Sequence, residues 1–321
     1  DRLLSRGLGD VYKRQGSPAL CEAVANHLMK TSNISVSPEN VLITPGAKQA
    51  LLYSYMTVLN PGDEAILLSP SWASYEPMIS IIGGVPVNVP VDRKNFHPDM
   101  DAIRSSITNR TRMIMVNSPC NPTGAVYARE EIEEIVSIAI EHDLWIVSDE
   151  IYSRLIWNGG EHVSPATIEG GKERTIVISG WSKTWAMTGM RVGFLAGPEQ
   201  AVRAAVKCQA NSASHIPTFM MEAARVALDC DDHVERFSDA YRQRRKLMVQ
   251  GLEDIPGLRI VNPEGAFYLF IDVSGTGMSD VEFADGALEA GVQLIPASLI
   301  TGGEGFILSL IHISEPTRQK P

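Results

Sequence analysis

The chain is poor in the residues that build disulfide frameworks and metal cages. Its 321 residues include only four cysteines, with no CxxC pair, and seven histidines without HxxxH or HxH spacing. Small secreted domains need several paired cysteines, and structural metal sites need closely spaced ligands. The sequence therefore predicts neither a disulfide framework nor a bound metal. A reducing compartment, the cytoplasm, is the expected location.

Long apolar runs and an excess of positive charge are also missing. A charge, a glycine or a proline interrupts every apolar stretch before the roughly 18 residues that a membrane helix needs. No cationic and apolar leader opens the chain. The 28 basic and 38 acidic residues give a formal charge of −10, which disfavours nucleic acid and anionic membrane surfaces as partners. The expected ligand is a small molecule.

The remaining composition is typical of a folded protein with two domains. Hydrophobic residues make up 44% of the chain and charged residues 21%, so neither a disordered chain nor a fibre is expected. At roughly 150 residues per domain, the length allows one large domain and a smaller companion. The sequence contains no internal repeat and no low-complexity segment.

Short apolar runs alternate with segments of helical periodicity along the first two thirds of the chain. The expected strands are 41–44, 65–68, 85–89, 113–116, 145–148 and 175–179, and the expected helices are 47–59, 75–82, 100–107 and 129–142. This pattern predicts an α/β fold with a mostly parallel, doubly wound sheet. A long helix near 231–252 and strands at 266–272 and 292–295 predict a smaller α+β domain at the C-terminal end.

Open parallel sheets bind ligands at the carboxyl ends of their strands, so the residues that follow each strand matter most. After the first strand, Gly46 forms a turn, and Ala47 and Lys48 open a helix whose free amides could hold a phosphate. Trp72 follows the second strand and could offer its flat face to a heteroaromatic ring. Each feature also has an ordinary interpretation, because a glycine before a helix is usually a turn and a loop tryptophan usually packs between elements.

Three further strand ends carry polar or charged side chains. Asn121 belongs to a sequence that also predicts a β-turn, and Asp149, three residues before Tyr152, could cap a helix. Lys183 lies between a buried strand and an apolar segment, where desolvation would lower its pKa, and Arg191 follows eight positions later. Taken together, these residues match the needs of a phosphorylated heteroaromatic aldehyde that is held by the lysine as a Schiff base.

The chain from about Gly16 to Ile307 resembles the class I and II aminotransferases, which belong to the fold-type I pyridoxal-phosphate enzymes. It is most similar to the subgroup that includes many prokaryotic aspartate aminotransferases. Trp181 departs from the family, which normally has a smaller or less polar residue there, and we expect only local repacking. The matching motifs are PGAKQAL from Pro45, PGDE from Pro61, PSWASYEPM from Pro70, NSPCNPTG from Asn117, VSDEIY from Val147, SKTWAMTGMRVG from Ser182 and PEGAFY from Pro263.

The resemblance implies an aminotransferase that moves an amino group between an α-amino acid and a 2-oxo acid, with pyridoxal 5'-phosphate as cofactor. Lys183 would hold the cofactor as a Schiff base and move the substrate proton. Asp149 would keep the pyridine nitrogen protonated, and Asn121 and Tyr152 would bond the ring hydroxyl. Lys183, Asp149 and Tyr152 are the expected catalytic residues.

The resemblance also implies the remaining cofactor contacts and a homodimer with its active site at the subunit boundary. Trp72 would stack on the ring, while Arg191 and the amides of Ala47 and Lys48 would hold the phosphate. The expected contacts are completed by Gly46, Gly180 and Ser182.

Both ends of the chain differ from the family pattern. Residues 1–15 and 310–321 resemble peptides translated from sequencing-adapter DNA, and we interpret them as non-native flanks. Between them we expect a large cofactor-binding domain at 16–237 and a smaller α+β domain at 238–309.

The family's carboxylate-binding arginine is missing from its expected position. In the family this arginine stands in a stretch of roughly Gly-aromatic-Ile-Arg-Leu-Ser, whereas Leu308 follows Ile307 here. The N-terminal segment that closes over the substrate in relatives is missing as well. We therefore expect the chain to bind the cofactor but to convert amino acids slowly.

Other functions also fit part of the sequence. A related pyridoxal-phosphate lyase or synthase would share the cofactor contacts and differ in its substrate contacts. A non-catalytic cofactor-binding module or a truncated inactive fragment is a further alternative, although Lys183 is intact and no helix-turn-helix segment precedes the domain. A nicotinamide dehydrogenase fits worse because no strand is followed by GxGxxG.

Overall fold

A seven-stranded sheet forms the centre of the larger part of the molecule. The computed structural model describes residues 14–157, 159–299 and 303–311. The sheet has the spatial order β1-β7-β6-β5-β4-β2-β3. Its strands are β1 (Val41–Thr44), β2 (Glu64–Ser69), β3 (Val85–Pro90), β4 (Thr111–Asn117), β5 (Trp145–Asp149), β6 (Thr175–Gly180) and β7 (Gly193–Ala196).

The sheet is parallel except for one strand. Strands β2 to β6 pair in parallel, whereas β7 is antiparallel to both of its neighbours, β6 and β1. Because β7 reverses direction between them, β1 and β6 run the same way. The carboxyl ends of β1, β2, β4, β5 and β6 therefore meet at one edge of the sheet, and the predicted mostly parallel α/β fold is confirmed.

Helices cover both faces of this sheet. On β5, Ile146 packs in one apolar cluster with Ile132 and Ile135, whereas its neighbour Val147 packs in another with Leu51. Burial on both faces explains why the central strands are nearly continuous apolar runs. The helices are α1 (Pro18–Ser32), α2 (Ala47–Val58), α3 (Tyr75–Ile81), α4 (Met100–Ser105), α5 (Arg129–Glu141), α6 (Trp181–Thr184), α7 (Glu199–Ala210), α8 (Thr218–Ala227), α9 (Asp231–Glu253) and α10 (Asp280–Glu289).

A second, antiparallel sheet follows α9, with the order β10-β11-β9-β8. The two sheets support a division into two domains, which stays a prediction. Helix α9 runs without interruption through the expected boundary between residues 237 and 238. The strands are β8 (Arg259–Ile260), β9 (Tyr268–Asp272), β10 (Ile295–Pro296) and β11 (Phe306–Leu310).

The strand expected at 266–272 begins two residues later, with Tyr268. Ala266 has a left-handed φ of 57°, a backbone conformation that a strand does not contain. Its N–H donates instead to the carbonyl of Leu155 at 2.8 Å. This bond ties the start of β9 to the chain that follows β5.

In place of the strand expected at 292–295, the structure has only the two-residue strand β10, which begins at Ile295. The N–H of Val292 donates to the carbonyl of Ala287 at 2.8 Å and closes the end of α10, so this valine belongs to the helix terminus. Strand β7 was not among the expected strands, because a four-residue run beside glycines has little signal of its own.

The predicted flanks 1–15 and 310–321 fall mostly outside the described residues, which begin at residue 14 and end at residue 311. At the inner ends of these flanks, the carbonyl of Gln15 accepts a bond from the β1 backbone at 2.8 Å. Ile311 is fully buried, and its N–H donates to the carbonyl of Phe267 at 2.8 Å. Within the described ranges, no helix is both long enough and apolar enough to cross a bilayer.

Candidate active site

A cavity of about 190 Å³ lies where the carboxyl ends of the parallel strands meet. The loops that follow β1, β2, β4, β5 and β6 contribute to its wall, and Tyr268 of β9 in the second sheet lines it as well. The wall contains Ala47, Lys48, Leu51, Trp72, Tyr75, Asn117, Asn121, Asp149, Ile151, Tyr152, Ser182, Lys183, Thr188, Arg191 and Tyr268.

One end of the cavity is suited to an anion. Gly46 has a φ of +84°, and Ala47 and Lys48 follow it as the first residues of α2. A Cβ on Gly46 would lie 2.5 Å from Nη2 of Arg191, so only glycine lets the guanidinium pack against this turn. Helix N-terminal amides and a guanidinium together form the arrangement that binds phosphate groups.

Lys183 lines the cavity from the short helix α6. Its Nζ lies 5.1 Å from the ring centre of Phe267 and 5.9 Å from that of Tyr152. Burial lowers the pKa of Lys183, Asp149 opposes this effect, and Arg191 adds to it. A lower pKa favours the neutral amine, which is the form that attacks a carbonyl carbon.

Asp149 ends β5 and is buried in the wall of the cavity. Its Oδ2 accepts a hydrogen bond from the Tyr75 hydroxyl at 2.8 Å, and its Oδ1 accepts one from the Ile151 amide at 3.2 Å. Burial raises the pKa of Asp149 to about 6, against the lowering effect of these two donors. A positively charged N–H donor stabilises the ionised form of a buried carboxylate of this kind.

A chain of hydrogen bonds links the two asparagines of the NSPCNPTG segment to the two tyrosines of the site. Asn117 donates to the Asp149 carbonyl at 2.9 Å and accepts the backbone N–H of Asn121 at 2.8 Å. Asn121 donates through Nδ2 to the Tyr268 hydroxyl at 3.3 Å, which lies 2.7 Å from the Tyr152 hydroxyl. Asn121 and Tyr152 are therefore held by a shared partner.

Trp72 forms a flat side of the cavity. Lys48 Nζ lies 4.8 Å from the ring centre of Trp72, and Tyr75 packs against that ring edge-on, with the centres 5.4 Å apart. These contacts fix the orientation of the indole.

Gly180 and Trp181 support the lysine from outside the cavity. A Cβ on Gly180 would lie 2.8 Å from the Cα of Gly193, so glycine allows β6 and β7 to approach closely. Trp181 is fully buried and donates through Nε1 to the Ala224 carbonyl on α8 at 2.8 Å. The unusual tryptophan thus adds a specific hydrogen bond between α6 and α8, beyond the repacking expected from the sequence.

Most residues singled out from the sequence lie on one continuous wall, whereas Gly46 and Gly180 lie beside it. Sequence reasoning missed Tyr75, Asn117, Thr188 and Tyr268. Tyr75 and Asn117 stand inside the quoted motifs, so their polar groups next to a strand end were an available signal. Tyr268 comes from another sheet, and nothing local indicates that it reaches Asn121.

Comparison with known proteins gives consistent matches over most of the chain. The model of the family "Aminotransferase class I and II" matches residues 2–307. The chain is 40% identical over 302 residues to an aspartate/prephenate aminotransferase of Thermus thermophilus, covering 92% of this chain and 77% of the relative. It is 39% identical over 311 residues to an aspartate aminotransferase of Pyrococcus abyssi, covering 95% and 80%.

Solved structures agree with these matches. The aspartate aminotransferase of Thermus thermophilus with maleate has a TM-score of 0.89 at 38% identity, covering 94% of this chain and 79% of that one. An aromatic aminotransferase from Pyrococcus horikoshii has a TM-score of 0.90 at 37% identity, covering 94% and 82%.

Proposed function

This chain belongs to the class I and II aminotransferases, and from that premise we propose how its cavity carries out the reaction. The enzyme moves an amino group between an α-amino acid and a 2-oxo acid. Enzymes of this class use pyridoxal phosphate, and we propose that the cavity at the strand ends holds it. The residues that line this cavity have the chemistry that the cofactor needs at its phosphate, at the carbon that attaches to a lysine and at its ring nitrogen.

The observation that supports this proposal most is that Lys183 shares one cavity wall with an anion site and a buried carboxylate, and interacts electrostatically with both Arg191 and Asp149. The turn at Gly46, the amides of Ala47 and Lys48, and Arg191 would hold the phosphate. Asp149 would hold the ring nitrogen at the other end. When bound, pyridoxal phosphate supplies an electron-accepting ring that stabilises the negative charge left on a substrate carbon.

The remaining wall residues would orient the cofactor and hold or move protons. Lys183 would be the amine that holds the cofactor and the base that carries a proton to and from the substrate carbon. Asn121 and Tyr152, linked through Tyr268, would donate to the ring oxygen, while Trp72 would cover the face of the ring. Ser182 lines the wall beside Lys183.

For the substrate we propose a dicarboxylic amino acid such as aspartate. The similar proteins named above include aspartate aminotransferases of Pyrococcus abyssi and Thermus thermophilus. Lys48 also adds a cation beside Trp72 that could meet a second carboxylate. An aromatic side chain is the second candidate, because an apolar cavity of about 380 Å³ adjoins Lys183 and is lined by Phe267, Ile295, Leu308 and Leu310.

Reduction with borohydride tests the cofactor assignment. The purified chain with pyridoxal phosphate should be yellow, and borohydride should fix the cofactor irreversibly on Lys183, because only a carbon–nitrogen double bond is reducible there. Peptide mass mapping identifies the modified residue. An adduct on another lysine, or a folded chain without any adduct, would contradict the proposal.

Incubation with an amino acid separates the remaining alternatives. A transaminase leaves the cofactor in its amine form when no 2-oxo acid is present, whereas a lyase or synthase does not accumulate that form. A non-catalytic module would bind the cofactor and leave the amino acid unchanged.

We further propose a cytoplasmic homodimer. The four cysteines are free, which fits a reducing compartment. Helix α8 leaves Phe219 and Val226 largely exposed, seven residues apart and hence on one face. Sedimentation equilibrium of the holoenzyme should give twice the chain mass, and a fully active monomer would disprove the dimer.

A further inference from the structure

Tyr75 is a buried tyrosine to which the mechanism above gives no task. It is the first residue of α3 and is 1% exposed. Its hydroxyl donates to Oδ2 of Asp149 at 2.8 Å, although 74 positions separate the two residues. The edge contact with Trp72 and the surrounding apolar cluster hold its ring in place.

The hydrogen bond matters because Asp149 is buried. Taking a carboxylate out of water favours its neutral form, and for Asp149 burial raises the pKa to about 6. Two donors oppose this, the Tyr75 hydroxyl on one oxygen and the Ile151 amide on the other. Burial also raises the pKa of Tyr75 well above its ordinary value, so the hydroxyl keeps its proton and remains a donor.

We propose that Tyr75 is a positioning residue that keeps the carboxylate of Asp149 ionised and its Oδ2 fixed in the cavity. The proposal rests on the function given above, in which Asp149 receives the ring N–H of the cofactor. A neutral Asp149 would compete with the ring nitrogen for the same proton. Tyr75 therefore acts on the reaction only through Asp149.

Other titratable groups also influence Asp149. Glu150 carries a negative charge next to it on the chain and opposes its ionisation, whereas Lys183 favours it. Glu150 itself accepts bonds from Ser148 at 2.9 Å and from His162 at 2.9 Å. The groups that interact electrostatically with Asp149 are Tyr55, Tyr75, Cys120, Glu150, Tyr152, Lys183 and Tyr268.

Tyr55 provides a matched control. It lies in the same apolar cluster as Tyr75 and is fully buried, but its hydroxyl donates to Sδ of Met115 at 3.4 Å and not to Asp149. Tyr55→Phe therefore removes the same atom from the same part of the core. It leaves the carboxylate's hydrogen bonds in place. Because burial raises the pKa of Tyr55 well above its ordinary value, Tyr55 is uncharged where Asp149 titrates, and the substitution removes no charge.

Carbon NMR of the cofactor-free full-length chain measures the ionisation directly. With labelled aspartate, and with Asp149→Asn to assign the signal, Tyr75→Phe should raise the titration midpoint of Asp149 by about 1 to 2 pH units. Tyr55→Phe should leave the midpoint unchanged, and Glu150→Gln should lower it. An unchanged midpoint in Tyr75→Phe, or an equal rise in Tyr55→Phe, would overturn the proposal.

The holoenzyme gives a second readout. Tyr75→Phe should slow amino-group transfer about tenfold or more at saturating amino acid, with little change in KM. A shifted midpoint without a change in rate would retain the effect on Asp149 but refute its role at the ring nitrogen. A Tyr75→Phe chain that fails to fold while Tyr55→Phe folds would show a structural role and overturn the proposal.

Discussion

Replacing Lys183 with alanine is expected to abolish amino-group transfer, with kcat falling by at least about 10⁴-fold. Under the proposed function, the substitution removes both the amine that would hold the cofactor and the base that would move the substrate proton. Among the described residues on the cavity wall, Lys48 is the only other lysine, and it lies over Trp72. We therefore expect no other lysine on this wall to take over either function. Stopped-flow absorbance of a single half-reaction with aspartate measures the loss.

Two variants make this result specific. Lys207 is exposed on α7, so Lys207→Ala should retain the full rate. Lys183→Arg keeps a positive charge but cannot attach the cofactor, and it should be as inactive as the alanine variant. Transfer at more than about a hundredth of the original rate in Lys183→Ala would be inconsistent with the assigned role.

Replacing Leu308 with arginine is expected to raise kcat/KM for amino acids by about a hundredfold to several thousandfold. A bidentate contact between arginine and a carboxylate contributes on the order of 2 to 4 kcal/mol and also orients the substrate. Leu308 lies in the middle of β11, paired with Phe270 and with Ile295. Leu308 and Lys183 line the same apolar cavity. An arginine at position 308 would therefore place its guanidinium close to a substrate bound beside Lys183.

The same strand offers a control for the charge itself. Leu310 lies two residues further along β11 and lines the same cavity, but it is 40% exposed. Leu310→Arg adds an equal charge and should raise kcat/KM only slightly. Leu308→Lys should raise kcat/KM less than Leu308→Arg does, because an ammonium group cannot bind both carboxylate oxygens at once. If Leu308→Arg brings no gain, another residue already holds the carboxylate.

Much of the region around the seven-stranded sheet could be predicted from the sequence because its signals are local. The buried strands from β2 to β6 are short apolar runs between turn residues, and each predicted strand lies within one or two residues of the observed one. The residues that follow these strands, from Gly46 to Arg191, also indicated that they bind a single ligand together. A doubly wound sheet brings its carboxyl strand ends together, so these residues implied a common site before any contact was known.

The strand boundaries in the second, four-stranded sheet were harder to predict. Ala266 adopts a left-handed conformation and donates a hydrogen bond to Leu155, more than a hundred residues earlier. An apolar pattern contains no information about such a bond. The same limit applies to β7, whose place between β1 and β6 depends on partners that are distant in sequence.

By itself, the sequence determined the fold class, the family and the chemical types gathered at the site. Only the tertiary structure decided which of those groups touch. Tyr75 reaches Asp149, and Tyr268 joins Asn121 to Tyr152, across 74 to 147 positions of chain. The physical reason is that periodicity and turn chemistry act between near neighbours, whereas the hydrogen bonds that set the ionisation of a buried carboxylate depend on how distant strands and helices pack.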